Sequence, residues 1–159
     1  MVVRTGIARA LHAACVAATL LCGPAAGASG PEVSARIAAL ESRAGRRVAR
    51  VELTIGPGWH VNAHLPSESF LVPTVLRLRP AGGDPLAVRY PDGALKRFAF
   101  WQKPLRVYAG TVVFEAEVST PPDAAAAVSL EGEVSFQACS DTQCYPPGRI
   151  ALSAAFPAR

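Results

Sequence analysis

Glycine and proline interrupt this chain so often that only short strands and turns fit between them. Fourteen prolines and thirteen glycines are spread over 159 residues. The intervening runs place apolar side chains at every second position, the period of a half-buried strand. Val48 to Ile55 alternates in this way and stops at Gly56-Pro57-Gly58. Thr111 to Val118 and Leu130 to Phe136 alternate most cleanly. Phe70 to Arg79, Leu86 to Tyr90, Leu105 to Tyr108, Val128 to Gln137 and Ile150 to Phe156 complete the expected strands, with Pro73 marking an edge or a strand start. One small domain of about seven strands joined by turns predicts an all-β sandwich.

Two segments read less simply. Val33, Ile37 and Leu40 suit a helical face, whereas Val33, Ala35, Ile37 and Ala39 suit a strand face. We expect a strand, turning at Ala44 to Arg47 into its neighbour. Asp123 to Ala127 reads as a surface connection.

The first 28 residues have the layout of a cleaved export signal. Arg4 and Arg9 precede an apolar stretch from Ala10 to Leu21, and small residues lead to a cut after Ala28. About a dozen apolar residues is short of the roughly 20 a membrane-spanning helix needs. A lipid-anchored start at Cys22 is disfavoured by bulky Leu21 before it. Residues 29–159 are then expected to form one exported domain, a monomer that does not insert into the membrane. The net charge is +4, of which Arg4 and Arg9 carry two. The other basic residues are scattered and alternate with apolar ones, so we read them as the solvated face of strands and expect no nucleic-acid partner.

Beyond the signal, the chain holds two cysteines, Cys139 and Cys144. Ser140 to Gln143 between them is short, polar and turn-forming, and Pro146-Pro147 keeps the following chain out of a sheet ladder. Such a pair at an exposed corner either trades electrons or acts as a staple. Exchange proceeds by thiolate attack through a mixed disulfide and needs a reachable sulfur. A staple closing a loop this small is worth only about 2 kcal/mol in the chain-entropy model. The residues alone leave both readings open. The Cys-x-x-Cys spacing and βαβ context of thioredoxin-like domains are missing.

His60 and His64 raise a metal alternative with the two thiolates. Four residues along a strand separate them by about 13 Å, too far for one ion unless the chain turns between them. We expect no metal and no other cofactor. His60 near the sulfurs would favour a thiolate, by charge when protonated or by hydrogen bonding. His64 reads as a strand-end residue bonded to backbone. Trp59, Phe70, Phe114 and Phe136 read as core. Phe98, Phe100 and Trp101, set among Lys96, Arg97 and Lys103, read as an aromatic loop that either anchors to the core or shields a reactive pair. No nucleophile elbow, phosphate loop or dinucleotide fingerprint is present.

With these residues in view, the chain resembles the family of the periplasmic N-terminal domain of the thiol:disulfide interchange protein DsbD. The likeness rests on Gly56 to Asn62, Leu65 to Ser67, Phe70 to Thr74, Tyr90-Pro91, Val107 to Gly110 and, most specifically, Gln137 to Pro147. It implies an immunoglobulin-like sandwich with the cysteines on a β-hairpin. It implies that Cys144 forms the mixed disulfide with a partner and that Cys139 resolves it. An aromatic cap would fall near Phe98 to Trp101, with Phe98 and Ala99 where the family has acidic residues. His60, Asn62, Tyr145 and Pro146 would flank the pair, His60 and Asn62 standing where a well-known member has tyrosines. The implied partners are periplasmic thioredoxin-like proteins, including those of disulfide isomerisation and cytochrome c maturation. We expect no membrane domain in the chain itself, so a separate membrane thiol reductase would supply electrons. The remaining alternative is a non-catalytic binding domain with a structural disulfide.

Overall fold

The computed structural model describes residues 30–43, 46–118 and 127–158. The expected signal, Cys22, the tip at residues 44–45 and most of the Asp123–Ala127 connection lie outside the described residues.

The described residues form an all-β sandwich. The strands are β1 (Val33–Arg43), β2 (Arg46–Ile55), β3 (His60–Asn62), β4 (Val75–Pro80), β5 (Val88–Arg89) and β6 (Ala94–Phe98), then β7 (Trp101–Tyr108), β8 (Gly110–Val118), β9 (Val128–Phe136), β10 (Ala138–Cys139) and β11 (Gly148–Phe156). They make three antiparallel sheets, ordered β1-β2-β8-β5, β11-β9-β4 and β10-β3-β7-β6.

Period-two patterning drives the two larger sheets together. Ala49, Val51, Leu53 and Ile55 of β2 and Phe114, Ala116 and Val118 of β8 point inward, against Leu76 and Leu78 of β4, Leu130 and Val134 of β9 and Leu152 of β11. The opposite faces carry the charges. Arg77 and Arg79 stand directly across from Glu133 and Glu131 and pair with them, while Arg36–Glu52, Arg46–Glu117 and Arg43–Glu115 pair on the other sheet. These arginines thus do form a solvated strand face, whereas Arg47 is buried.

The ambiguous first segment is a strand whose register shifts between Ile37 and Ala39. The extra residue moves Leu40, rather than Ala39, into the core, which is how a strand comes to imitate helical spacing.

Three expectations need correction. The Phe70–Arg79 run becomes strand only from Val75: Pro73 has no amide to give a ladder, and the buried Thr74 ties the segment to β3 by donating its hydroxyl to the Asn62 carbonyl (2.6 Å). Phe70 is 64% exposed and is not core. The aromatic segment is not a loop: β6 and β7 make a hairpin, missed because a register shift between Lys96 and Phe98 breaks the alternation.

The third sheet is joined to the first through one residue, Ala109, between β7 and β8. Gly110 has φ +64°, the left-handed conformation that allows so abrupt a passage. This smaller sheet contributes Val61, Tyr108 and Ala138 to the main core and forms its own cluster of Phe98, Leu105 and Val107 with Leu71 against it. The cysteines sit on its β10 edge.

Candidate functional site

β9 ends at Phe136, and the chain runs through Gln137 into β10 and a tight polar turn. The Ser140 amide donates to the Gln143 carbonyl (2.8 Å), and the Ser140 hydroxyl accepts from the Thr142 and Gln143 amides at 3.2 and 3.1 Å. On the far side the Tyr145 amide donates to the Ala138 carbonyl (2.9 Å). Cys139 and Cys144 therefore face each other across a β-hairpin. The two backbone bonds flank the pair, so it occupies the non-hydrogen-bonded type of site, where opposed side chains come closest. The cysteines form a disulfide there. Tyr145 and Pro146 follow at once: Gln137 Nε2 donates to the Tyr145 carbonyl (3.1 Å), and the Tyr145 ring packs edge-on to Trp59 at 5.2 Å.

The two cysteines are not equivalent. Cys139 is 3% exposed, whereas Cys144 lies in the exposed turn. Burial of Cys139 comes from β3, with which β10 pairs, placing His60 directly opposite Cys139. His60 is itself only 3% exposed, and its Nδ1 has no hydrogen-bond partner among the described residues. Burial, and secondarily the Lys96 charge, pushes its pKa down to about 4, with Asp141 opposing. The imidazole is thus neutral beside the disulfide at physiological pH, and the protonated form considered above is not what faces Cys139.

The β6–β7 hairpin covers this buried end. Phe98 lies against the His60 ring (4.6 Å, 32°), and Phe100 stacks on Phe98 at 5.2 Å. Lys96 Nζ sits 5.1 Å from the Phe98 ring centroid and bonds Asp141 Oδ1 at 2.8 Å. That hydrogen bond and charge hold Asp141 below the usual carboxylate range. One ion pair therefore ties the aromatic hairpin to the turn between the cysteines. Trp101 stands further out, edge-on to Phe70 at 5.4 Å. Asn62 acts from beneath: its Nδ2 donates to the Val72 carbonyl (3.0 Å), fixing the segment whose Leu71 packs under Phe98.

His64 takes no part. Its ring stacks on Tyr90 at 3.6 Å and its Nδ1 lies 3.1 Å from the Thr74 carbonyl. Among the described residues no group of three or more His, Cys, Asp and Glu side chains converges as for a metal ion. Lys96 and Asp141 escaped the reading of the sequence as a pair because 45 positions separate them. An acidic residue at the tip of the cysteine turn was the available signal.

Residues 31–153 match the family described as the N-terminal domain of the thiol:disulfide interchange protein DsbD. Among solved structures, the chain is similar to the reduced N-terminal domain of DsbD from Neisseria meningitidis. The two are 16% identical, with 81% of this chain and 89% of that one covered and a TM-score of 0.44. No curated protein matches the chain in sequence.

Proposed function

The chain belongs to the family of the DsbD N-terminal domain, and on that footing we propose that it relays electrons in the periplasm through Cys139 and Cys144. Thiol–disulfide exchange is the chemistry of the family. The finer assignment to this chain rests on one observation: Cys144 is exposed while its partner sulfur belongs to a buried residue. A dithiol partner would attack Cys144 Sγ as a thiolate. The S–S bond breaks, Cys139 Sγ leaves with the electron pair, and a mixed disulfide joins Cys144 to the partner. The partner's second thiol then displaces Cys144. The partner ends oxidised and the pair reduced, by two electrons and two protons. The reverse sequence, with Cys139 resolving, delivers the electrons to a client.

Neighbouring residues fit supporting roles. Tyr145 and Pro146 stiffen the exposed side of the hairpin, while Phe98, Phe100 and Trp101 form a cap that shelters the His60–Cys139 end from small oxidants. Asn62 holds the floor of that cap. A thioredoxin-like protein suits the partner role because it brings one attacking sulfur to one exposed sulfur. A membrane thiol reductase would feed the relay, and no metal or other cofactor is needed for the exchange.

The test is a trap. With Cys139→Ala, the resolving sulfur is gone, and a partner linked through Cys144 should accumulate in the exporting cell when thiols are quenched at once. Only unlinked monomer would count against the relay. The reduction potential adds a second measure: roughly −180 to −270 mV belongs to exchanging carriers, and a value below about −300 mV to a structural disulfide.

A further inference from the structure

We propose that His60 exchanges a proton with Cys139 Sγ whenever the disulfide opens or closes, a role that rests on the relay reading and deepens it. Three observations converge. His60 and Cys139 are directly opposed on paired antiparallel strands, which places their Cβ atoms about 5 Å apart on one face. Both are 3% exposed, so water does not readily serve either group. His60 Nδ1 is buried without a hydrogen-bond partner among the described residues. A buried polar atom left unpaired in one state of a redox site is explained if it gains its partner in the other state.

Opening the disulfide supplies that partner. When a thiolate takes Cys144, Cys139 Sγ leaves carrying the bonding pair and is free to turn about χ1. Its negative charge arises in a buried place, where it needs a proton or a cation nearby. One proton enters from solvent and is shared by the two groups, as thiolate and imidazolium or as thiol and imidazole, the arrangement that activates nucleophilic cysteines. On closing, His60 takes the Cys139 proton as Cys139 attacks the mixed disulfide, and then releases it to solvent. The charges acting on His60 are Lys96 from β6 and Asp141 from the cysteine turn, which pair with each other. Phe98 covers the ring. Cys139 is thus the group whose charge changes most sharply beside the imidazole during turnover.

The test follows the His60 imidazole resonances against pH in the purified chain, as the disulfide and after reduction with dithiothreitol. The titration midpoint should shift by about one pH unit or more on reduction, upward where the reduced pair is thiolate and imidazolium and downward where Nδ1 accepts the Cys139 S–H. An unchanged midpoint overturns the proposal. Independently, a glutathione adduct on Cys144 should be resolved by Cys139 about tenfold more slowly in His60→Gln, with the inflection in its pH profile lost. An unchanged rate and profile would also overturn it. If the variant does not fold, the titration of the natural chain decides alone. Both probes are small thiols, so they read His60 without any protein partner. Failure of the Cys139→Ala trap would sink the relay and leave these outcomes standing.

Discussion

His60 makes the disulfide form of the protein sensitive to acid. Its pKa lies near 4 in the fold against 6.5 ordinarily, so between those values the unfolded chain binds more protons. The stability contributed by the neutral imidazole is complete above pH 6.5, and it is lost as pH falls through about 4. The loss should be on the order of 2 kcal/mol. Urea midpoints at pH 7 and pH 4 would show it as a smaller acid-induced drop in His60→Gln than in the natural chain. Equal drops would remove His60 as the cause. At this scale the sequence was legible in part. Cys139, Cys144 and His60 stand out by type and spacing. Which sulfur is exposed does not follow from a spacing, because Cys139 is buried by β3 and by the distant hairpin that caps His60.

Elements with unbroken alternation, such as β2, β8 and β9, were readable because one face must be apolar. β6 was not, since the register shift at Lys96–Phe98 places a charged residue where alternation expects an apolar one. The same hairpin carries the Lys96–Asp141 bond, and its two side chains are 43% and 69% exposed. An exposed pair contributes little and is screened by salt. Lys96→Ala should therefore speed reduction of the disulfide by dithiothreitol about two- to fivefold, and high salt should speed the natural chain but not the variant. Identical salt responses would show that the bond does not restrain the hairpin. At the β7–β8 joint, Gly110→Ala forces a side chain into the left-handed region and should lower stability by about 1–2 kcal/mol, read as a lower urea midpoint. An unchanged midpoint would mean that the passage between sheets relaxes freely.

For the whole molecule, the sandwich follows from composition and alternation, whereas the grouping of strands into three sheets depends on contacts too remote to read along the chain. The main core lies between the two large sheets, and no cysteine is among its packed residues. Cys139→Ser with Cys144→Ser should keep the β-sheet circular dichroism spectrum and cost about 2 kcal/mol of unfolding free energy, the closure value of so small a loop. Collapse of the fold would instead assign the disulfide a structural duty. The exposed Cys144 beside a buried Cys139 has a further result for the reduced protein as a population. Among the described residues each copy offers a valency of one. Oxidation of a crowded, reduced stock can couple copies in pairs through Cys144, but the described residues hold no second outward sulfur with which to extend a chain. Association through this pair ends at the dimer, and a single added thiol returns each pair to monomers.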